Sequence, residues 1–459
     1  MPEVAGKAGA QSNTAAFVGG AIWKNLLRFA IPLFFGNILQ QLYAITDSVI
    51  VGRLIGPSAL AAIGASQPIV RLSISIAVGI TLGVSVLTAR FVGSGDTTKV
   101  RQVVSTCRLF FSLLAIAVTI PGVLLSRELL TLFRTPPEIL DDAAAYLRAM
   151  FLGVYPMLGY NVFAAVFRGF GNAKVPLLML ALSTVLNVGL DLLTVEVFHL
   201  GVEGTAWATM LSQVVALKLA SVYLRRGYSA YFEPARKLRV DPKLLKACLK
   251  IGIPSGVKGT AYWGGISLLT SVVNSFGAAA TAAFSVASRV DALLQAPLIS
   301  LQMSLAAFAA QNIGAGKTER VRKGMLVSML IGMVFAAMIT VSVYIFAPAG
   351  MRVFTSDEQI IAMGAEYLRT VCLFYVVYAW QEVIQGVAVG AGDTLILLIS
   401  TITAMWVLRV PLAYILSARM GVSGVWLSMP SGWIVAAVFA QGYYSSGRWQ
   451  RKLNDCGGR

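Results

Sequence analysis

The sequence predicts an all-α integral membrane protein with twelve transmembrane helices, arranged as two pseudo-symmetric six-helix bundles around a central cleft. Of the 459 residues, 57% are hydrophobic and only 12% are charged, whereas a soluble domain has about 25% charged residues. The apolar residues fall into long runs, and the pattern of the first half recurs in the second. So little charge cannot cover a water-soluble globule of this size.

Twelve apolar stretches are long enough to span a bilayer, because a hydrocarbon core of about 30 Å takes about 20 helical residues. In the first half they are 26–50, 58–89, 105–126, 143–167, 174–197 and 202–224. In the second half they are 249–273, 281–310, 324–348, 367–389, 395–417 and 422–444. The chain is therefore expected to form an N-terminal lobe (1–224), a cytoplasmic linker (225–248) and a C-terminal lobe (249–459).

The net charge of +17 is explained by membrane topology. With both termini placed in the cytoplasm, 25 Lys and Arg residues lie on the cytoplasmic side, seven on the opposite side and five within spans. This bias follows the positive-inside rule, so no nucleic-acid partner is expected. A single His and four scattered Cys without metal-ligand spacing argue against zinc, haem and iron–sulfur sites.

The two halves match each other at a shift of about 221 residues. The matching pairs include GPSALAAIGAS (56–66) with GAAATAAFSVAS (277–288), VGSGDTTKVR (92–101) with IGAGKTERVR (313–322), and RGFGN (168–172) with VGAGD (389–393). Each half holds an even number of spans, so an axis along the membrane normal should relate them. Such a duplicated bundle favours an alternating-access transporter over a channel.

Several segments in family order give the chain its resemblance to a known family. They are IPLFFGNILQQLYAITDSVIVGRLIG (31–56), ALAAIGAS (59–66), VFRGFGNAKVP (166–176), NVGLDLL (187–193), GVEGTAWATMLSQ (201–213), QNIGAGKTERVR (311–322) and AGDT (391–394). With these, the sequence resembles the multidrug and toxic compound extrusion (MATE) family of cation-coupled exporters. It is more similar to the DinF-like branch than to the NorM-like branch, whose acidic residue in the seventh span is missing here.

Two acidic residues lie deep in predicted spans of the first half, where a charge is costly and usually functional. Asp47 is in the middle of the first span, and Asp191 is in the fifth, one helical turn after Asn187. The resemblance to DinF-like proteins implies that Asp47, Asn187, Asp191 and the sixth-span Thr209 line a cation site. Two nearby carboxylates at low dielectric cannot both ionise cheaply, so such a pair can hold one proton or one Na⁺. Helix packing or pore lining is the alternative role.

Glu382 is the only deep acid of the second half. It is expected to be a displaced cation ligand, a contact for substrate amines, or the partner of Arg409 in a structural ion pair. For Lys258 and Asp291, snorkelling or pairing is the default expectation.

Other polar residues have weaker assignments. Arg168, in the RG turn, is expected to have a conformational role. A second set is expected either to line a cavity or to form hydrogen bonds between helices: Gln40, Gln41, Tyr43, Asn161 and Gln213.

The functional hypothesis is a multidrug exporter that exchanges H⁺ or Na⁺ for amphipathic, often cationic, organic compounds. It should act without a cofactor, as a monomer, in a prokaryotic plasma membrane. A flippase for a lipid-linked precursor is the nearest alternative, but the deep charges are mainly acidic rather than basic. An enzyme is disfavoured because no nucleophile–base pair or metal-ligand spacing occurs in a span, and the chain has no ATP-binding P-loop motif.

Overall fold

A computed structural model describes residues 16–234 and 237–450. Three segments lie outside the described residues: 1–15 of the N-terminal tail, 235–236 of the predicted linker, and 451–459, which include Cys456. Within the described ranges, every regular element is a helix, which confirms the predicted all-α fold class.

Sixteen α-helices follow one another along the described chain. Those of the first half are α1 (Ile22–Ile50), α2 (Pro57–Gly93), α3 (Thr97–Leu124), α4 (Ser126–Leu132), α5 (Pro137–Leu152), α6 (Val154–Gly169), α7 (Lys174–Leu192) and α8 (Gly201–Gly227). Those of the second half are α9 (Pro242–Asn274), α10 (Ala278–Gly314), α11 (Thr318–Arg352), α12 (Glu358–Cys372), α13 (Tyr375–Gly390), α14 (Thr394–Ile402), α15 (Val410–Met420) and α16 (Val422–Ser445). Three π-helical segments extend α1, α7 and α14, namely Val51–Ile55, Leu193–Val197 and Thr403–Arg409.

The helix boundaries repeat along the chain. Helices begin at residues 57, 97, 137, 154 and 201, and again 221 residues later at 278, 318, 358, 375 and 422. The turns between them repeat as well: Gly95 and Gly316 both have positive φ, at +75° and +70°. A residue with a Cβ is strained in that conformation, so glycine is needed at the same turn in both halves. The internal repeat predicted from the sequence is thus present in the backbone.

Nine described helices are long and apolar enough to cross a membrane, or eleven if each of two bent helix pairs forms one span. The bent pairs are α5 with α6, at 42°, and α12 with α13, at 54°. They take the place of the fourth and tenth predicted spans, which the apolar pattern alone presents as single straight helices. The seventh predicted span lies on α9, a helix of 33 residues that is absent from this set because glycines and lysines interrupt its apolar residues.

Some helices begin earlier than the apolar pattern predicts. The third predicted span starts at 105, but α3 begins at Thr97, where the Asp96 carboxylate caps the helix by accepting a hydrogen bond from the Lys99 backbone nitrogen at 2.9 Å. Polar residues at the end of a long helix do not weaken it when such a cap is present.

The chain divides into two compact units. Among the described residues, the first is Phe35–Gly256, and the second combines Phe17–Phe34 with residues 257–450. The sequence pattern did not indicate that the start of α1 belongs to the second unit. The predicted lobe boundaries themselves stay a prediction.

Each unit has its own apolar core. In the second unit, the fully buried Trp426 stacks on Phe284 at a ring-centroid distance of 5.8 Å and meets the edge of Tyr367 at 5.2 Å. In the first unit, Tyr146 on α5 packs in a cluster with Val51 and Ala206. That cluster adjoins the predicted cation site.

The described part of the predicted linker is fixed to α3 within the first unit. The Arg239 backbone nitrogen donates to Ser105 Oγ at 2.9 Å, and the Arg108 guanidinium donates to the Glu233 carbonyl at 2.6 Å. The linker residues up to 248 also include the beginning of α9 at Pro242, so this segment is partly helical.

Candidate functional site

The two deep carboxylates of the first half occupy equivalent places near the ends of their helices. Asp47 lies in the last turn of α1, and Asp191 is the residue before the last of α7. Each helix then continues into a π-helical segment, Val51–Ile55 or Leu193–Val197, and the two segments contact each other. Single π-helical turns inside helices occur frequently at functional sites.

Polar groups of three helices meet around Asp191. The side-chain amide of Asn187 satisfies both of its neighbours in one orientation. In that orientation it donates to Asp191 Oδ2 at 3.1 Å and accepts from the Thr209 backbone nitrogen at 3.3 Å. The hydroxyls of Thr209 and Tyr43 share a hydrogen bond of 3.1 Å. The structure therefore brings the predicted residues of α1, α7 and α8 together.

Asp47 and Asp191 lie close enough to interact electrostatically. Asp191 is completely buried and Asp47 is half-buried. Within the described residues, Asp191 Oδ1 has no hydrogen-bond partner. Two carboxylates that share a site at low dielectric repel each other unless a proton or a metal cation reduces their charge. With the nearby amide and hydroxyl oxygens, they offer the hard oxygen donors that suit such a cation.

Two further residues belong to this group and were missed at the level of sequence. The buried Tyr146 on α5 lies within electrostatic range of Asp47, Asp191 and Tyr43, and it lies near the polar side chain of Gln67 on α2. A tyrosine or glutamine in an apolar span carries no charge, so only the fold shows which of the many such residues face the acids.

The remaining predicted residues of the first unit occupy varied environments. Gln40 and Gln41 are exposed on α1. Asn161 is half-buried on α6 and donates to the Met157 carbonyl of its own helix at 2.8 Å. Gln213 and Arg168 are half-buried, on α8 and at the end of α6. Their assigned roles stay predictions.

Glu382 lies in the second unit, and its electrostatic partner is Lys258. The charge of Lys258 acts on Glu382, and the Lys258 ammonium donates to Gln385 Oε1 at 3.0 Å. Arg409 instead interacts electrostatically with Asp291. Asp291 is as buried as Glu382, so the expectation that Glu382 is the only deep acid of the second half is wrong. Among the described residues no ion pair joins Glu382 to Arg409, so the structural ion pair considered for these two residues is not formed.

A duplicated array of membrane-length helices, with paired carboxylates held among polar side chains in one half, defines a multi-pass membrane protein of the transporter class. The MatE family model matches residues 32–193 and, a second time, residues 254–415. The chain therefore belongs to the MatE family. The two matches begin 222 residues apart, which confirms the internal repeat and the family resemblance; the DinF-like branch stays a prediction.

Relatives and solved structures are similar to the chain over nearly its whole length. The probable multidrug resistance protein YpnP of Bacillus subtilis is 30% identical over 95% of this chain and 97% of its own. The probable multidrug resistance protein NorM of Thermotoga maritima is 25% identical, covering 94% of each. The crystal structure of a MATE in the bent conformation has a TM-score of 0.89 at 26% identity, covering 96% of this chain and 99% of that one.

Proposed function

We propose that this protein is a secondary active exporter that exchanges H⁺ or Na⁺ for amphipathic, cationic organic compounds. The observation that carries the proposal is the pairing of Asp47 with Asp191 among the side chains of Asn187, Thr209 and Tyr43. A cation can reduce the repulsion of the two carboxylates, and its arrival or departure changes the charge between α1 and α7. Relatives that are named multidrug resistance proteins, such as YpnP, support drug-like cargo.

The coupling ion binds, in this proposal, at the carboxylates of Asp47 and Asp191, with the Asn187 amide and the Thr209 hydroxyl as further oxygen donors. The free Oδ1 of Asp191 is available to a proton or to Na⁺ without breaking a described hydrogen bond. Binding of the ion and binding of a cationic drug then compete for the same negative charge. This competition couples uptake of the ion to release of the drug.

We further propose that the protein lies in a prokaryotic plasma membrane with both termini in the cytoplasm, as the 25-to-7 bias of basic residues supports. Because one chain carries both halves of the repeat, a single copy holds a complete pair of bundles, and we propose that it acts as a monomer.

Transport in proteoliposomes tests the coupling. The lumen is loaded with acid or with Na⁺, the membrane potential is clamped with K⁺ and valinomycin, and uptake of external ethidium is followed by fluorescence. We expect one gradient to drive ethidium above its equilibrium level. Asp47→Asn and Asp191→Asn should each abolish this accumulation, because either change removes one of the paired charges.

Glu196→Gln is the matched control, since Glu196 is an exposed acid five positions after Asp191 in the same predicted span. It should accumulate ethidium like the wild type. Wild-type protein that accumulates ethidium under neither gradient would refute coupled antiport. Full accumulation by both Asn variants would place the coupling ion elsewhere in the molecule.

A further inference from the structure

The second unit contains a polar cavity of about 300 Å³ that the cation site does not include. Helices α9, α10, α13, α14 and α16 and the π-helical segment Thr403–Arg409 supply its walls. Its lining combines two cations, one carboxylate and three aromatic rings: Lys258, Arg409, Glu382, Tyr262, Tyr378 and Trp433. The two cations leave one positive charge in excess of the carboxylate.

The Arg409 side chain forms part of the cavity wall, and its Nε atom has no acceptor among the described residues. Arg409 is 5% exposed, and within the described residues its Nε has no hydrogen-bond partner. Its guanidinium lies 5.9 Å from the centre of the Trp433 ring, and it interacts electrostatically with Tyr262. A buried donor without an acceptor costs free energy. A ligand that supplies an acceptor to this guanidinium would therefore be favoured.

The carboxylate of Asp291 does not supply that acceptor. Asp291 interacts electrostatically with Arg409, but its oxygens already accept hydrogen bonds from Tyr375 at 2.6 Å, from Gln295 at 2.7 Å and from Tyr367 at 3.2 Å. Among the described residues no ion pair joins Asp291 to Arg409. The Asp291 carboxylate thus acts on the charge of Arg409 from a distance and does not take up the hydrogen-bond donors of the guanidinium.

Lys258 is the second cation, and its described partners leave donor capacity unused. Its ammonium has three N–H donors; one meets Gln385 Oε1 at 3.0 Å, and Glu382 is its electrostatic neighbour. Glu382 in turn accepts from Gln381 Nε2 at 3.3 Å. The ammonium can therefore donate to a further acceptor in the cavity while it keeps these contacts.

We propose that this cavity binds an organic anion, a carboxylate on an aromatic body. The carboxylate accepts hydrogen bonds from the Arg409 guanidinium and the Lys258 ammonium, and the ring packs against Trp433 and Tyr378. Guanidinium and carboxylate groups match in geometry, and their charged hydrogen bonds are stronger than neutral ones. The proposal is independent of ion coupling in the first unit, because every residue it uses belongs to the second.

Gly432 on α16 is a positioning residue in this arrangement. A Cβ on Gly432 would lie 2.7 Å from both Nε and Nη2 of Arg409, so the guanidinium rests directly against the glycine backbone. An alanine there must displace the guanidinium, and it can do so cheaply because the end of an arginine side chain is flexible. Gly442, on the same helix, is the matched control, since a Cβ added there would meet no atom within 4 Å.

The test is equilibrium dialysis of the purified full-length protein in detergent at pH 7, with 3-(1-naphthyl)propionate and its neutral amide, 3-(1-naphthyl)propionamide. We expect the anion to bind the wild type about tenfold or more tightly than the amide, the ratio typical of a charged hydrogen bond. Arg409→Gln should remove this preference, and Arg409→Lys should retain part of it. Gly432→Ala should weaken anion binding, whereas Gly442→Ala should not.

Equal affinity of the wild type for the anion and the amide would overturn the proposal. Unchanged anion binding in a folded Arg409→Gln protein would overturn it too. If Arg409→Gln fails to fold, the pair Gly432→Ala and Gly442→Ala decides: the same anion affinity in both variants would refute a role for the guanidinium. The thermal unfolding midpoint of each variant shows whether it is folded.

Discussion

Helices α2 and α9 approach each other within the first unit so closely that their glycines cannot carry a side chain. A Cβ on Gly83 would lie 2.3 Å from the Cys248 carbonyl oxygen, and a Cβ on Gly79 would lie 2.3 Å from the Cα of Gly256. The atoms that would be struck are backbone atoms, which no rotamer change can move. We therefore predict that Gly83→Ala destabilises the protein by forcing the two helices apart.

The size of the effect follows from these distances. Ordinary contacts of a Cβ begin at 3.4 Å, so the helices must separate by about 1 Å at this point, which is overpacking and costs ~1–3 kcal/mol. Gly64→Ala, on the same helix α2, is the control, since no atom lies within 4 Å of its Cβ position. There only the helix preference of alanine acts, which stabilises by ~0.5–1 kcal/mol. The two variants should differ by ~1.5–4 kcal/mol.

Thermal unfolding of the detergent-purified proteins, followed by intrinsic tryptophan fluorescence, measures this difference. One kcal/mol shifts the midpoint of a unit of this size by about 2–4 °C, so Gly83→Ala should unfold about 3–16 °C below Gly64→Ala. Gly83→Ala should also fall below the wild type. If Gly83→Ala unfolded at or above the wild-type temperature, the close approach of α2 and α9 would be refuted.

Three further predictions concern single contacts. The sulfur atoms of Cys107 and Cys248 are 3.7 Å apart, so oxidation with copper phenanthroline should join them in a disulfide and leave Cys372 free. Peptide mapping by mass spectrometry measures this, and a free Cys107 after oxidation would contradict the contact. Trp426→Ala should cost ~3–5 kcal/mol because it empties the aromatic core of the second unit, and a wild-type unfolding midpoint would argue against this packing. Tyr43→Phe removes one neutral hydrogen bond to Thr209, worth ~0.5–1.5 kcal/mol. The initial rate of gradient-driven ethidium uptake should therefore fall about 2- to 12-fold. Complete loss of uptake would show that the Tyr43 hydroxyl does more than hold Thr209.

The repeat and most of the spans could be predicted because they depend on strong, local signals. Long apolar runs specify membrane helices, and glycines such as Gly95 and Gly316 mark turns that few other residues can form. The bends between α5 and α6 and between α12 and α13 could not be predicted, because a bent span has the same apolar length as a straight one. The seventh span is the opposite case: its length is that of a membrane helix, but its composition is not.

The site was predictable to the extent that it depends on charge. A carboxylate within an apolar run stands out, so Asp47 and Asp191 were identified, and Asn187 followed from helical spacing. Tyr146 was not, because whether a tyrosine faces a carboxylate or a neighbouring core depends on how α5 packs. Its electrostatic interaction with both acids appears only in the folded unit.

The repeated scaffold carries different sets of buried charges in its two halves: the second half buries Asp291 and Glu382 and also holds cations within its spans. The first and fifth spans hold Asp47 and Asp191, whereas the corresponding seventh and eleventh spans hold Lys258 and Arg409. Duplication preserves helix boundaries and turns because these are set by glycines, caps and apolar length, none of which depends on the sign of a buried charge. Each unit can therefore keep the same framework and still hold a different set of charged side chains. Because charge in a low-dielectric environment acts strongly over short distances, a few substitutions on equivalent helices are sufficient to produce that difference.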